Sequence, residues 1–157
     1  MADNQPTFLL VFLLDGRRYA LPLPHVEQSV AAVAPSFLPC ALDFVAGVVN
    51  FHGRILPLID LRGRFGLPSR EIGAYDLFLI ARSSRRSMAL WVDSVEGVMP
   101  LPEDDISPAD QVIPGIRYLQ GMTRLPGDIY FIFDIEKCLS LEEEDLLREA
   151  LPEISRT

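Results

Sequence analysis

Cysteine is scarce. The 157-residue chain has two, Cys40 and Cys138, with no C-x-x-C pair, which argues against a disulfide scaffold or a zinc knuckle and fits a reducing, cytoplasmic setting. Basic charge is also in deficit: 14 Lys and Arg face 22 Asp and Glu, a net charge of −8, whereas a nucleic-acid binder needs a dense positive footprint. The deficit falls in the second half, where residues 81–157 hold 8 basic and 15 acidic side chains, so no basic stripe exists for anionic lipid either. The longest apolar run, Phe8 to Leu14, is far below the ~20 residues that span a bilayer. No Lys or Arg precedes it as a signal peptide requires, so direct membrane insertion is not expected. Catalytic motifs are missing as well. No G-x-S-x-G, H-E-x-x-H, Walker loop or G-x-G-x-x-G occurs, and His25 and His52 are the only histidines.

What is present is a globular composition, 49% hydrophobic and 23% charged, in a length suited to one domain or to two small halves sharing a core. Phe8 to Leu14 is apolar on both faces and reads as a central strand; Asp15-Gly16 then signals a type I′ hairpin turn into Arg17–Leu23. Val45–Phe51 and Arg54–Leu61 form a second pair around His52-Gly53. A third joins Leu77–Ala81 to Met88–Val92, and a fourth leads through Pro126-Gly127 into Ile129–Ile135. Thirteen prolines and four hairpin units predict a mostly β fold, closed or nearly closed. Along Arg54–Leu61, Ile55, Pro57, Ile59 and Leu61 face one way, and Leu56, Leu58 and Asp60 the other.

One amphipathic helix is expected near the C-terminus, over 140–151. Ser140 and Glu143 form a capping box, Glu142 to Glu144 suit the helix N-terminus, and Leu146, Leu147, Ala150 and Leu151 make a stripe that Pro152 ends. A short helical turn is expected within Pro35–Ala46. Trp91 is placed between barrel and terminal helix, on the strand face opposite Leu90 and Val92, and Arg62 and Arg64 at the surface.

Metal and cofactor chemistry find little support. Two histidines fall short of the three or four ligands of a zinc site, and Pro102-Glu103-Asp104-Asp105-Ile106 lacks the spacing of a calcium loop. Hydrolysis using His52 and Asp60 lacks a third group.

The stretch Asp43-Phe-Val-Ala-Gly-Val-Val-Asn-Phe-His-Gly-Arg-Ile-Leu-Pro-Leu-Ile-Asp-Leu61 resembles the CheW-like family, the coupling proteins of bacterial chemotaxis. Tyr19-Ala-Leu-Pro22, Val92-Asp-Ser-Val-Glu-Gly-Val98, Tyr118-Leu-Gln-Gly-Met122 and Asp134-Ile-Glu-Lys-Cys-Leu139 follow the same pattern in order. The resemblance implies two small five-stranded, SH3-like β-barrels sharing a hydrophobic seam, with approximate halves 15–66 and 72–138 in one domain. It implies no catalysis and no cofactor. The partners it implies are the regulatory domain of a CheA-type histidine kinase, met barrel to barrel, and the cytoplasmic hairpin tip of a chemoreceptor, laid in a groove between the barrels. Val26, Phe51 and Val98 line that groove by matching position.

Three positions depart from the family pattern. Where it carries a Glu and an Arg thought to pair near the groove, this chain has Gln28 and His52, and a mostly neutral histidine leaves a hydrogen bond in place of a salt bridge. Glu27, one position away, restores the acid if the register slips by one. A family proline is replaced by Leu42. Besides the adaptor, the readings left open are a small-ligand sensor barrel and an accessory CheW-like regulator of a non-flagellar signalling system.

Overall fold

The computed structural model describes residues 7–40, 42–100, 106–108, 118–125 and 128–151. Among the described residues eleven strands lie in two sheets. β1 (Phe8–Leu14), β2 (Arg17–Pro22), β8 (Ser94–Pro100), β9 (Ile106–Pro108), β10 (Leu119–Leu125) and β11 (Asp128–Phe133) build the first, in the order β8-β1-β2-β11-β10-β9. β3 (Val26–Ala31), β4 (Val45–Phe51), β5 (Arg54–Asp60), β6 (Leu77–Arg82) and β7 (Ser87–Val92) build the second, in the order β3-β6-β7-β5-β4. The helices are α1 (Leu61–Phe65) and α2 (Leu141–Ala150). Among the described residues no helix is long and apolar enough to cross a membrane.

Strand alternation divides the core into three. Leu10, Phe12 and Leu14 of β1 join Ile59, Leu79, Leu90 and Val92 of the second sheet in one cluster shared by both sheets. The intervening Leu9 and Val11 turn the other way, onto Ala20 and Ile132 of the first sheet alone. Val49, Leu56, Leu58, Phe78, Ile80, Ala89 and Trp91 form the private core of the second. The apolar character of β1 on both faces thus has a cause: one face fills the seam and the other fills its own sheet.

The sheets do not follow the expected halves 15–66 and 72–138. The first takes β1 and β2 from the start of the chain and β8 to β11 from its end, while the second is built from the middle. Two parallel pairings, Phe131 with Tyr19 and Leu58 with Ala89, knit these distant pieces. Hairpin signals reveal antiparallel neighbours and carry no information about parallel ones. β9 adds a short sixth strand to the edge of the first sheet.

Both hairpin turns at Asp15-Gly16 and His52-Gly53 have positive φ at each central residue, the type I′ geometry. Asn50 completes the second by accepting the Gly53 amide at 2.9 Å through Oδ1. No helical turn forms within the described part of 35–46. Instead Ser36 exchanges two 2.8 Å backbone hydrogen bonds with Val48, so the chain leaving β3 returns to the opposite edge strand β4. Val48 thereby uses both backbone groups outward, and its cross-strand neighbour is Pro57, which has no amide hydrogen to offer. The Val45 amide donates to the Leu42 carbonyl at 3.1 Å, so the turn expected from the family proline forms without it.

At the C-terminus both arms of the Ser140–Glu143 capping box are present. Leu147 is fully buried in the shared cluster, whereas Leu146 is exposed and does not belong to the expected stripe. Pro152 lies outside the described residues.

Gly47 is the residue on which the Ser36–Val48 bridge depends. Its φ is 140°, and a Cβ there would sit 2.4 Å from the Ser36 carbonyl oxygen. Gly47→Ala is expected to cost about 2 kcal/mol and to lower the melting temperature by about 6 °C. A melting curve unchanged from the parent would show that the bridge is dispensable.

Candidate functional site

The open end of the seam is formed by residues that strand register can place. Val98 on β8 stands opposite Leu10, and Phe8 stands opposite Pro100. Leu10 belongs to the shared cluster, so Val98 faces the seam too, yet it is 51% exposed. From the other sheet, Val26 stands opposite Ala81 and is half-buried against the same cluster, beside Leu23. Val26 and Val98 therefore stand on different sheets, Val26 packed against the shared cluster and Val98 opposite one of its members. Phe51 does not join them: it packs on the private core of the second sheet, with its ring edge-on to His52 at 4.3 Å.

The expected Gln28–His52 contact is not formed among the described residues. Both side chains are exposed. The acid and base that meet at this end of the second sheet are Glu27 and Arg54, with Oε2 of the former 3.0 Å from the latter's guanidinium. A bulge between Val26 and Gln28 inserts Glu27 into β3 and re-aims it. On the other side the tight turn takes up His52, and Arg54, the first residue of β5, reaches across. Arg54 also donates to Ser87 Oγ at 3.3 Å and lies 5.3 Å over the Phe51 ring. Each partner of this pair is more than a third exposed, so its net stabilisation is about 0–1 kcal/mol. Glu27 was legible as the alternative acid; Arg54 was missed, because a two-residue displacement through a turn leaves no sequence signal.

The model of the CheW-like domain matches residues 9–143. The chain belongs to the CheW-like domain family. It is 29% identical over 140 residues to the chemotaxis protein CheW of Klebsiella aerogenes, covering 88% of this chain and 84% of that protein. The chemotaxis protein CheW of Treponema pallidum is 29% identical over 150 residues, covering 91% and 88%. The crystal structure of the scaffolding protein TtCheW from Thermoanaerobacter tengcongensis superposes with a TM-score of 0.82 at 26% identity, over 91% of this chain and 99% of that one.

This CheW-like domain also carries a partly buried ionic network that contradicts the surface placement of Arg62 and Arg64. Arg62 is only 2% exposed; it pairs with Asp93 and stacks 5.2 Å from the Trp91 ring. Burial, and then the neighbouring Arg70, pull its pKa below the ordinary arginine value. Arg70 bridges Asp76 at 2.8 Å and Asp93 at 2.7 Å. Arg64 pairs with Glu143, donates to Tyr118 Oη at 2.9 Å and stacks 3.6 Å from Phe44. Arg86 meets Glu144 at 2.6 Å, so two arginines of the second sheet region clamp the acidic start of α2. Trp91 sits in the private core of the second sheet, not against the terminal helix, and its Nε1 donates to Asp76 at 2.9 Å.

The polar groups that an enzyme would use are committed elsewhere. Asp60 caps α1 by accepting the Arg62 amide, and His25 Nδ1 donates to the Arg82 carbonyl at 3.0 Å. Burial pushes the Cys138 thiol up to about 12, which makes it an inert core residue. Among the described residues no group of three or more His, Cys, Asp and Glu could hold a metal ion, and Asp104 and Asp105 lie outside them.

Asp76 ties the network to solution conditions. Burial by itself would raise its pKa; hydrogen bonds from Arg70, the Gly73 amide and Trp91 outweigh that and hold it at about 2, against 3.8 ordinarily. Its folded pKa is depressed, so its stabilisation is present above about pH 4 and is lost as pH falls toward 2. Acid unfolding followed by the fluorescence of Trp91, the single tryptophan, is expected to lose about 2 kcal/mol across that interval. Asp76→Asn should flatten this limb. An identical limb in that variant would assign it to other carboxylates.

Proposed function

We propose that the chain is a non-catalytic adaptor of a chemotaxis-type signalling array, holding the regulatory domain of a CheA-type histidine kinase and the cytoplasmic hairpin of a chemoreceptor. The observation that carries this reading is the seam. An apolar core shared by two sheets runs out at one end into half-exposed Val98, Phe8 and Val26, which is the form of a groove for an apolar helix face. Membership in the CheW-like family and the likeness to a scaffolding protein support the same role. Work between those partners places the chain in the cytoplasm. Kinase contact falls to the outer faces of the two barrels and receptor contact to the crevice, with Val26 and Val98 as apolar anchors. Gln28 and His52 flank the crevice beside the Glu27–Arg54 pair, which supplies the charge those two positions lack, and Phe51 backs that pair from beneath.

Co-purification with the soluble kinase regulatory domain and titration with a receptor hairpin fragment test the reading together. Val98→Asp is expected to weaken fragment binding by more than tenfold, with little change in melting temperature because the site is half-exposed. Equal affinities for parent and variant would remove the crevice as the receptor site. For the charge pair, Glu27→Gln should alter fragment affinity at low ionic strength and leave it unchanged at high, whereas Gln28→Glu/His52→Arg should add a second pair. A double variant indistinguishable from the parent over a panel of receptor fragments would show that charge at this rim does not set selectivity.

A further inference from the structure

Acidic side chains outnumber basic ones by 22 to 14, so an arginine in this chain readily finds an acid within reach. Arg18, Arg54, Arg62, Arg64, Arg70, Arg86 and Arg148 all do. Among the described residues Arg17, Arg82 and Arg85 are exposed and form no ion pair, and the last two stand together on the single hairpin that joins β6 to β7. That hairpin is held firmly. The Ser83 amide donates to the Arg86 carbonyl at 2.9 Å, and Ser83 Oγ accepts from the amides of Arg85 and Arg86 at 3.2 and 3.3 Å. The Ser84 amide and hydroxyl both donate to Glu136, at 2.8 and 2.7 Å. Glu136, the acid set against this turn, is hydrogen-bonded to Ser84, which together with the nearby charge of Arg85 holds its carboxyl below the ordinary range.

Position relates this hairpin to the crevice. His25 Nδ1 donates to the Arg82 carbonyl at 3.0 Å, and the short 3₁₀ turn of Leu23–His25 leads directly into Val26. Val26 in turn stands opposite Ala81, the residue before Arg82. Two cations on a rigid turn therefore border the Val26 end of the groove. On a chain of net charge −8 an acidic partner is repelled at long range, so a local cationic rim decides where its carboxylates can settle.

We infer that Arg82 and Arg85 form a docking rim for carboxylate side chains on the helical partner lying in the groove, fixing the direction and register in which that helix lies. The inference rests on the adaptor reading above. The rim acts on orientation and encounter rate more than on the apolar anchoring at Val26 and Val98. Its committed occupant is an acidic segment of the receptor hairpin; the kinase domain is the competing one.

The test titrates the full chain with the soluble receptor hairpin fragment and, separately, with the kinase regulatory domain, at low and high ionic strength. Arg82→Glu/Arg85→Glu is expected to weaken receptor-fragment binding about tenfold or more at low salt, a difference that narrows at high salt. Kinase-domain binding and melting temperature should not change. Arg82→Lys/Arg85→Lys, which keeps the charge, should bind within about threefold of the parent. Arg17→Glu, at an exposed arginine that begins β2, serves as the control and should leave binding unchanged. The inference is overturned if the charge-reversed variant binds the receptor fragment as the parent does, if Arg17→Glu loses as much, or if only kinase binding falls. A parent chain that binds neither fragment would instead sink the adaptor reading and this rim with it.

Discussion

The shared apolar cluster is the interaction on which the rest depends. Strand side chains alternate, and in β1, β5, β6 and β7 both alternate sets are apolar, so each of these strands contributes to two cores at once. Phe12 and Leu14 from one sheet and Leu79, Leu90 and Val92 from the other are fully buried against each other. Neither sheet can expose this face to water without losing the burial of large side chains, each contributing about 1.5–3 kcal/mol. The two sheets are consequently one unit, with Val26 packed at the edge of their common core. Leu147 belongs to the same cluster, which makes α2 part of the seam.

Charge is arranged around that seam in two ways. Inside, Arg62, Arg70, Asp76, Asp93 and Trp91 form a compact network whose removal piece by piece would leave unpaired charge in a buried setting, a larger penalty than the intact network's net contribution. Outside, Glu27 pairs with Arg54 at the surface of the second sheet, where solvent reduces its effect on stability. The acidic excess of the second half of the sequence has a structural use as well. Glu143 and Glu144 begin α2 at the favourable end of the helix dipole and close on Arg64 and Arg86. The same carboxylates thus serve local helix initiation and long-range docking.

Legibility followed the range of each interaction. The turns at Asp15-Gly16 and His52-Gly53, the alternation along β5 and the capping box at Ser140 are set within a few residues, and all were readable. The motif residues of the 43–61 stretch also have local reasons: Gly47 admits the Ser36 carbonyl, Asn50 completes a turn and Asp60 caps a helix. The placements of Arg62, Arg64, Trp91 and Leu146 were not readable. A long side chain after a cap looks the same in sequence whether it meets water or a carboxylate from residue 93 or 143. The Gln28–His52 pairing failed for a related reason, since a bulge and a turn shift the pairing to Glu27 and Arg54 while the aligned residues stay in place.

By itself the amino-acid sequence determined a mostly β chain, its hairpins, its terminal helix and its kinship with the CheW-like domain, because each of these is encoded in periodicity or in short motifs. Tertiary structure alone decided that the first sheet joins both ends of the chain and which acid answers which arginine. Those outcomes depend on parallel strand pairs and on contacts between residues far apart in the chain, where closeness arises from packing the seam and from nothing written at either position.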